Sequence, residues 1–275
     1  MKACLKRLGC RLAIMALAAI LLGLPACARR RKEQQDALPP DQLYQMAVQK
    51  MERKHYFTAR SLLQQVLPKI PPEDRDLLPR VQLAIAESYF RDRGLLNYGE
   101  ALNGYRNFLT YYPNHEKADL AQYMVGMSLF KQVLAPDRDQ ALTLKAIDEF
   151  RKVETVYPNS AYVEKARRQI DACLDLLAEH ERLIGRFYQK RRAWSAAIDR
   201  YQTILERYPR FRGTNQVLFD IGQCHLMIGN RLAAEAAFGQ LWHDDPHSKL
   251  SAQARQIVAR ADRLEEERKR KESGS

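Results

Sequence analysis

Trp194 to Pro209 reads WSAAIDRYQTILERYP, and its spacing decides the fold. Ala197, Tyr201 and Ile204 recur at steps of four and three, which places them on one face of a helix. Pro209 ends that helix because it has no N–H to continue the hydrogen-bond ladder. The same frame, Ala-x3-Tyr/Phe/Leu-x2-apolar-x4-Pro, returns as Ala59, Leu63, Val66, Pro71; Ala101, Tyr105, Phe108, Pro113; Ala146, Phe150, Val153, Pro158; and Ala234, Phe238, Leu241, Pro246. A small residue lies upstream of each copy, at Ala47, Ala86, Gly126, Gly185 and Gly222. It precedes the alanine by 12 positions in the first, fourth and fifth copies, by 15 in the second and by 20 in the third. Small residues let two helices cross closely, and the larger side chain one turn on is expected to fill the gap between neighbouring units. Pro and Gly otherwise serve as punctuation, and no β-branched alternating run interrupts the pattern, so the chain reads as all-α.

The pattern resembles the tetratricopeptide repeat, a helix–turn–helix whose second helix carries Ala-x3-Phe and a closing proline. The expected architecture is a solenoid of about five such repeats over residues 41–247. Leu95-Leu96-Asn97 predicts a lengthened turn in the second repeat, and Ala135-Pro136-Asp137-Arg138-Asp139 a longer loop in the third. Asn114 and Asn159-Ser160 suit the caps of following helices. Pro158 and Gly185 stand 27 positions apart, far more than a tight tandem array leaves, and Tyr162 to Tyr188 is periodic throughout. That predicts one long helix, a spine between two halves. Residues 248–275 read as a charged final helix that caps the array or protrudes from it.

The amino terminus carries a different message. Lys2, Lys6, Arg7 and Arg11 are followed by an apolar run, Leu12 to Leu24, of the length of a secretory signal and too short for a permanent membrane span. Leu24-Pro25-Ala26-Cys27 resembles the bacterial lipobox, in which cleavage precedes a cysteine whose thiol carries lipid. Thiolate nucleophilicity suits that alkylation, and several acyl chains anchor stably where one does not. The alternative is an ordinary secretory signal with an incidental cysteine. On the lipobox reading, residues 1–26 are the signal peptide, Cys27 is lipidated, and residues 27–40 are a linker. Arg29 to Lys32 would then lie beside lipid phosphates. Ala28 is not the aspartate that retains enterobacterial lipoproteins at the inner membrane, so by that family rule the expected location is the outer membrane, facing the periplasm.

The net charge of +12 suggests nucleic acid until it is mapped. Residues 33–247 carry 29 basic and 28 acidic side chains, so the excess sits at the two ends. A nucleic-acid binder needs a basic face on its folded body, and that class is disfavoured. Cys173 and Cys224 lie 51 positions apart in apolar-periodic segments and read as buried thiols, with a disulfide as the open alternative. There is no Gly-rich phosphate loop, HExxH, G-x-S-x-G or CxxC motif. His243-Asp244-Asp245-Pro246-His247 lacks the converging ligands of a structural metal site, and Asp171 and Asp175 suit a solvated helix face. His225 falls at a repeat position that favours packing. The reading is a non-enzyme without cofactor or metal.

Four tracts then carry a family resemblance. Tyr-Pro-Asn-His (112–115) precedes Tyr-Met-x-Gly (123–126); Asp-Arg-Asp-Gln occupies 137–140; and Tyr-x2-Arg-x-Ala-Trp runs from Tyr188 to Trp194. With Tyr-Pro-Asn-Ser-x-Tyr at 157–162, they make Asp36 to Pro246 similar to the BamD family, lipoproteins of the outer-membrane β-barrel assembly machine. The resemblance implies five repeats with a long helix between the third and fourth. It also implies a non-catalytic scaffold whose C-terminal repeats dock on the POTRA domains of the barrel-inserting subunit. Its N-terminal repeats would receive segments of unfolded outer-membrane proteins, and its membrane contact would be the lipid anchor. Carried over from the repeat family, the groove would be lined by Tyr44, Val48, Leu83, Glu87, Tyr123 and Met127. Arg200 would meet a POTRA carboxylate. The charged tail after Lys249 is longer than the family pattern. Another periplasm-facing tetratricopeptide lipoprotein, a secretin pilotin or a cell-wall synthesis coordinator, is the alternative.

Overall fold

The computed structural model describes residues 38–71 and 73–273. Cys27, the signal and most of the linker lie outside them. The described residues form eleven α-helices and one 3-10 turn, Leu67–Lys69, with no strand among them. They divide into two compact units between His115 and Glu116.

The first unit holds α1 (Pro40–Glu52), α2 (Tyr56–Val66), α3 (Leu77–Asp92) and α4 (Leu95–Tyr111). Here α1 pairs with α2 and α3 with α4, while α2 lies against α3. The second holds α5 (Ala118–Phe130), α6 (Ala141–Val156), α7 (Val163–Lys190), α8 (Trp194–Arg207), α9 (Thr214–Met227), α10 (Arg231–Asp244) and α11 (Lys249–Ser273). Each helix from α5 to α10 packs on the next, and α11 lies against α9 and α10. These serial helical hairpins are the tetratricopeptide class. No described helix is long and apolar enough to cross a membrane.

Each copy of the sequence frame falls on the second helix of a pair, and its alanine, next apolar residue and following apolar residue are all buried. Fully burying a side chain such as Phe150 or Ile204 is worth roughly 1.5–3 kcal/mol, so the frame is where the stability of each pair concentrates. The prolines act as expected. Tyr112, Tyr157, Tyr208 and Asp245, each preceding a proline, leave the helical region with ψ of 56°, 59°, 58° and 74°, as the proline ring requires of its neighbour.

The aromatic residues do more than bridge neighbouring pairs. A Cβ added at Gly126 would stand 2.6 Å from the Phe150 ring, and one at Gly185 would stand 2.5 Å from Tyr201. Gly222 meets Phe238 in the same way. The ring therefore sits on the bare backbone of the first helix in its own pair, which explains why that position is glycine wherever the partner is aromatic in the last three copies.

Three local expectations need correction. Leu95-Leu96-Asn97 does not lengthen a turn: Arg93 and Gly94, both at positive φ, make the turn, and Leu95 already begins α4. Asn114 caps no helix. Ser160 accepts a hydrogen bond from the Tyr162 N–H at 3.0 Å and donates to Asp119 at 2.6 Å, which ties the starts of α5 and α7. The long helix is α7, as its periodicity predicts, but it lies wholly inside the second unit, because the division falls between α4 and α5. The charged C-terminal stretch forms α11 up to Ser273, with Arg231 holding Asp262 and, at 3.0 Å, Glu265.

Candidate functional site

In the first unit, Tyr44 is half-buried against the α1–α3 core, and the Arg80 guanidinium stacks 4.9 Å from its ring centre. Asp76 holds Arg80 from the preceding turn at 3.0 Å. Val48 is also half-buried. Leu83 departs from the groove expectation, being only 7% exposed, because α3 is covered by both α2 and α4 and keeps little free face. Glu87 is engaged by Arg91 at 2.5 Å along the same helix. What remains open is an aromatic and cationic strip, Tyr44 with Arg80, rather than a continuous apolar wall.

In the second unit, Tyr123 lies with its ring centre 5.3 Å from Tyr162 and 5.7 Å from Phe150. Burial pushes its phenol pKa up, and the positive charge of Arg168 offsets part of that. Half of the residue thus serves packing, and Met127 one turn on is likewise half-buried.

Arg200 extends from α8 to α7, where Glu181 accepts from its Nη1 at 3.2 Å. The side chains are 44% and 19% exposed, so the guanidinium keeps an open side. Asp175 pairs with the exposed Arg212 at 3.1 Å. Cys173 and Cys224 are separate buried thiols, and burial pushes both up to about 12, which leaves them inert as nucleophiles. The Nδ1 of His225 is buried without a hydrogen-bond partner, and burial lowers the ring's pKa. No three His, Cys, Asp or Glu side chains among the described residues converge as a metal site.

Sequence reasoning missed two features. Arg60, on α2, is 8% exposed yet charged; it bonds Asp92 at 2.5 Å and the Ser88 carbonyl at 3.3 Å beneath the Tyr89 ring. The second is a cleft between α7 and α9. Its sequence signal was Arg182, Arg186 and Lys190 at four-residue steps, one face of a helix.

Within this frame the sequence profile of the YfiO family, outer membrane lipoprotein, matches residues 36–241. The chain belongs to that family. The match takes in every helix from α1 to α9 and most of α10, and α11 lies beyond it. Among its relatives is an outer membrane protein assembly factor BamD of Rickettsia prowazekii, 26% identical over 89% of this chain and 96% of that protein. The protein of that name in Caulobacter vibrioides is 32% identical over 58% of this chain, and the match covers 53% of its own length. That of Vibrio cholerae is 31% identical over 62% of this chain and 73% of that protein.

Proposed function

We propose that this protein is a non-catalytic scaffold of outer-membrane β-barrel protein assembly. The observation that carries this reading is the family match across nearly the whole helical body, with relatives named as outer membrane protein assembly factors. On this reading the C-terminal pairs dock on POTRA domains of the barrel-inserting subunit, and the N-terminal pairs receive segments of unfolded barrel proteins. Lipid on Cys27 holds the protein at the outer membrane, facing the periplasm.

Co-purification from solubilised outer membranes tests the assignment as a whole. A barrel-inserting subunit with POTRA domains should accompany the protein; a secretin in its place would overturn the reading. Anchoring has its own test. Cys27→Ser should yield an unacylated protein, either uncleaved or released from the membrane. Palmitate labelling and sedimentation with outer membranes, if retained by the variant, would refute lipidation at this residue.

The client surface is testable with photo-reactive residues at positions 44 and 123. Both side chains are half-buried and aromatic, a mixture that suits varied amphipathic segments. Each should capture unfolded barrel proteins on their way to assembly in the outer membrane. If the variants fold normally and capture none, the two rings serve packing alone.

A further inference from the structure

The cleft between α7 and α9 has a volume of about 840 Å³, the size of a ligand site. Its charges are not all spent. Glu179 takes both ends of the Arg182 fork at 2.7 Å, so that pair is neutral. Arg186 and Lys190 line the same wall, are exposed, and make no ion pair with any described residue. Facing them is Asp220, only 7% exposed. Gln216 donates to one of its oxygens at 2.9 Å, and no described residue donates to the other. Burial raises the Asp220 pKa, and Gln216 together with the positive charges of Arg182 and Arg186 offsets part of that, while its second oxygen stays available to a donor brought by a ligand.

The amides along α9 share this incompleteness. Tyr201 donates to Gln189 at 2.8 Å, and Gln189 in turn donates to the Gln223 carbonyl oxygen at 3.4 Å. Gln223 therefore keeps its NH₂, and Gln216 its carbonyl oxygen, without a described partner. Gln216, Asp220 and Gln223 thus offer acceptor, acceptor and donor over about 10 Å of helix, the length of roughly three extended residues. Across the cleft, Arg186 and Lys190 are about 6 Å apart along α7, close to the repeat of alternate side chains on an extended chain. Trp194 and Phe219 supply an apolar surface in the same cleft.

We infer that this cleft binds an extended peptide segment with acidic side chains at alternate positions. Asp220, Gln216 and Gln223 take its backbone N–H and C=O groups, and Arg186 and Lys190 take its carboxylates. A compact anion such as phosphate would meet the Asp220 carboxylate and leave the Gln216 and Asp220 acceptors unused, whereas a peptide brings N–H donors and carboxylates together. The inference stands apart from the client surface proposed above, which uses the first three helix pairs.

The test uses the folded mature protein and labelled short peptides, one alternating glutamate with valine and one alternating lysine with valine, followed by fluorescence anisotropy. The glutamate peptide should bind at least about tenfold more tightly than the lysine peptide. Joint Arg186→Glu and Lys190→Glu should abolish that preference, while joint Arg151→Glu and Lys152→Glu, on exposed positions of α6, should preserve it. N-methylation of the central peptide bonds should weaken binding several-fold, as backbone recognition requires. Equal affinity for both peptides would overturn the inference, as would indifference to the Arg186 and Lys190 reversal. Unchanged binding of the N-methylated peptide, or full competition by inorganic phosphate, would reduce the cleft to a site for charge alone and overturn it too. Circular dichroism melts, expected to be unchanged because both cations are exposed, separate loss of binding from loss of fold.

Discussion

Ala197→Arg and Ala234→Arg should each lower folding stability by several kcal/mol. Both alanines are fully buried, in clusters that include Tyr201, Ile204 and Val217 in one case and Phe238, Leu241 and Ala254 in the other. An arginine there overpacks the crossing, which alone costs about 1–3 kcal/mol, and carries a charge into an apolar cluster. Thermal melts equal to those of the parent protein would refute the register of the repeat. A finer version uses the glycine–aromatic contact. Gly126→Val should destabilise α5 against α6, because its Cβ alone would fall 2.6 Å from Phe150. Phe150→Ala should also destabilise, by roughly 3–5 kcal/mol, through the cavity it leaves. The double variant should lose less than the two single losses added, since each change relieves the other. Strict additivity would mean that ring and glycine are not in contact.

That register was legible because it rests on spacing along one chain. Ala59 to Pro71 and its four counterparts each hold the frame that buries one helix, and proline acts on the residue directly before it. The long α7 was legible for the same reason. Contacts between distant residues were not. Arg60 looks like any surface arginine until Asp92 and Tyr89, some thirty positions on, close around it. The α7–α9 cleft joins Arg186 to Asp220 only after α8 has turned the chain back. Leu95 and Leu96 misled because the three extra positions between Ala86 and Ala101 looked like added turn, whereas they lengthen the helices and both leucines stand exposed on the first turn of α4. Of the groove residues, Tyr44 and Tyr123 keep partial exposure, but no spacing could show that Leu83 is covered from two sides.

On the docking proposed above, Arg200→Glu is expected to weaken the complex with the POTRA-bearing subunit by roughly 2–5 kcal/mol, part of it from leaving a partner carboxylate unpaired. The structure sharpens this prediction by supplying a competitor. Glu181 already pairs with Arg200 inside the protein, and exposed pairs of this kind contribute roughly 0–1 kcal/mol to stability. Reversal sets two carboxylates against each other, so a small loss of thermal stability should accompany the large loss of binding. Arginine suits both contacts at once, since its planar fork presents several donors and Glu181 uses one of them. Glu181→Gln therefore separates the alternatives. It removes the internal charge pair and keeps the guanidinium. If Arg200 meets the partner, Glu181→Gln should leave binding intact or tighten it, and an acid-to-base change on the partner should rescue Arg200→Glu. If Arg200 serves only to join α8 to α7, both variants should show a small loss of stability, the reversal the larger of the two, and Arg200→Glu should co-purify with the partner as well as the parent does, even at high salt. That second outcome would remove Arg200 from the interface and leave the docking surface to be sought elsewhere on the second unit.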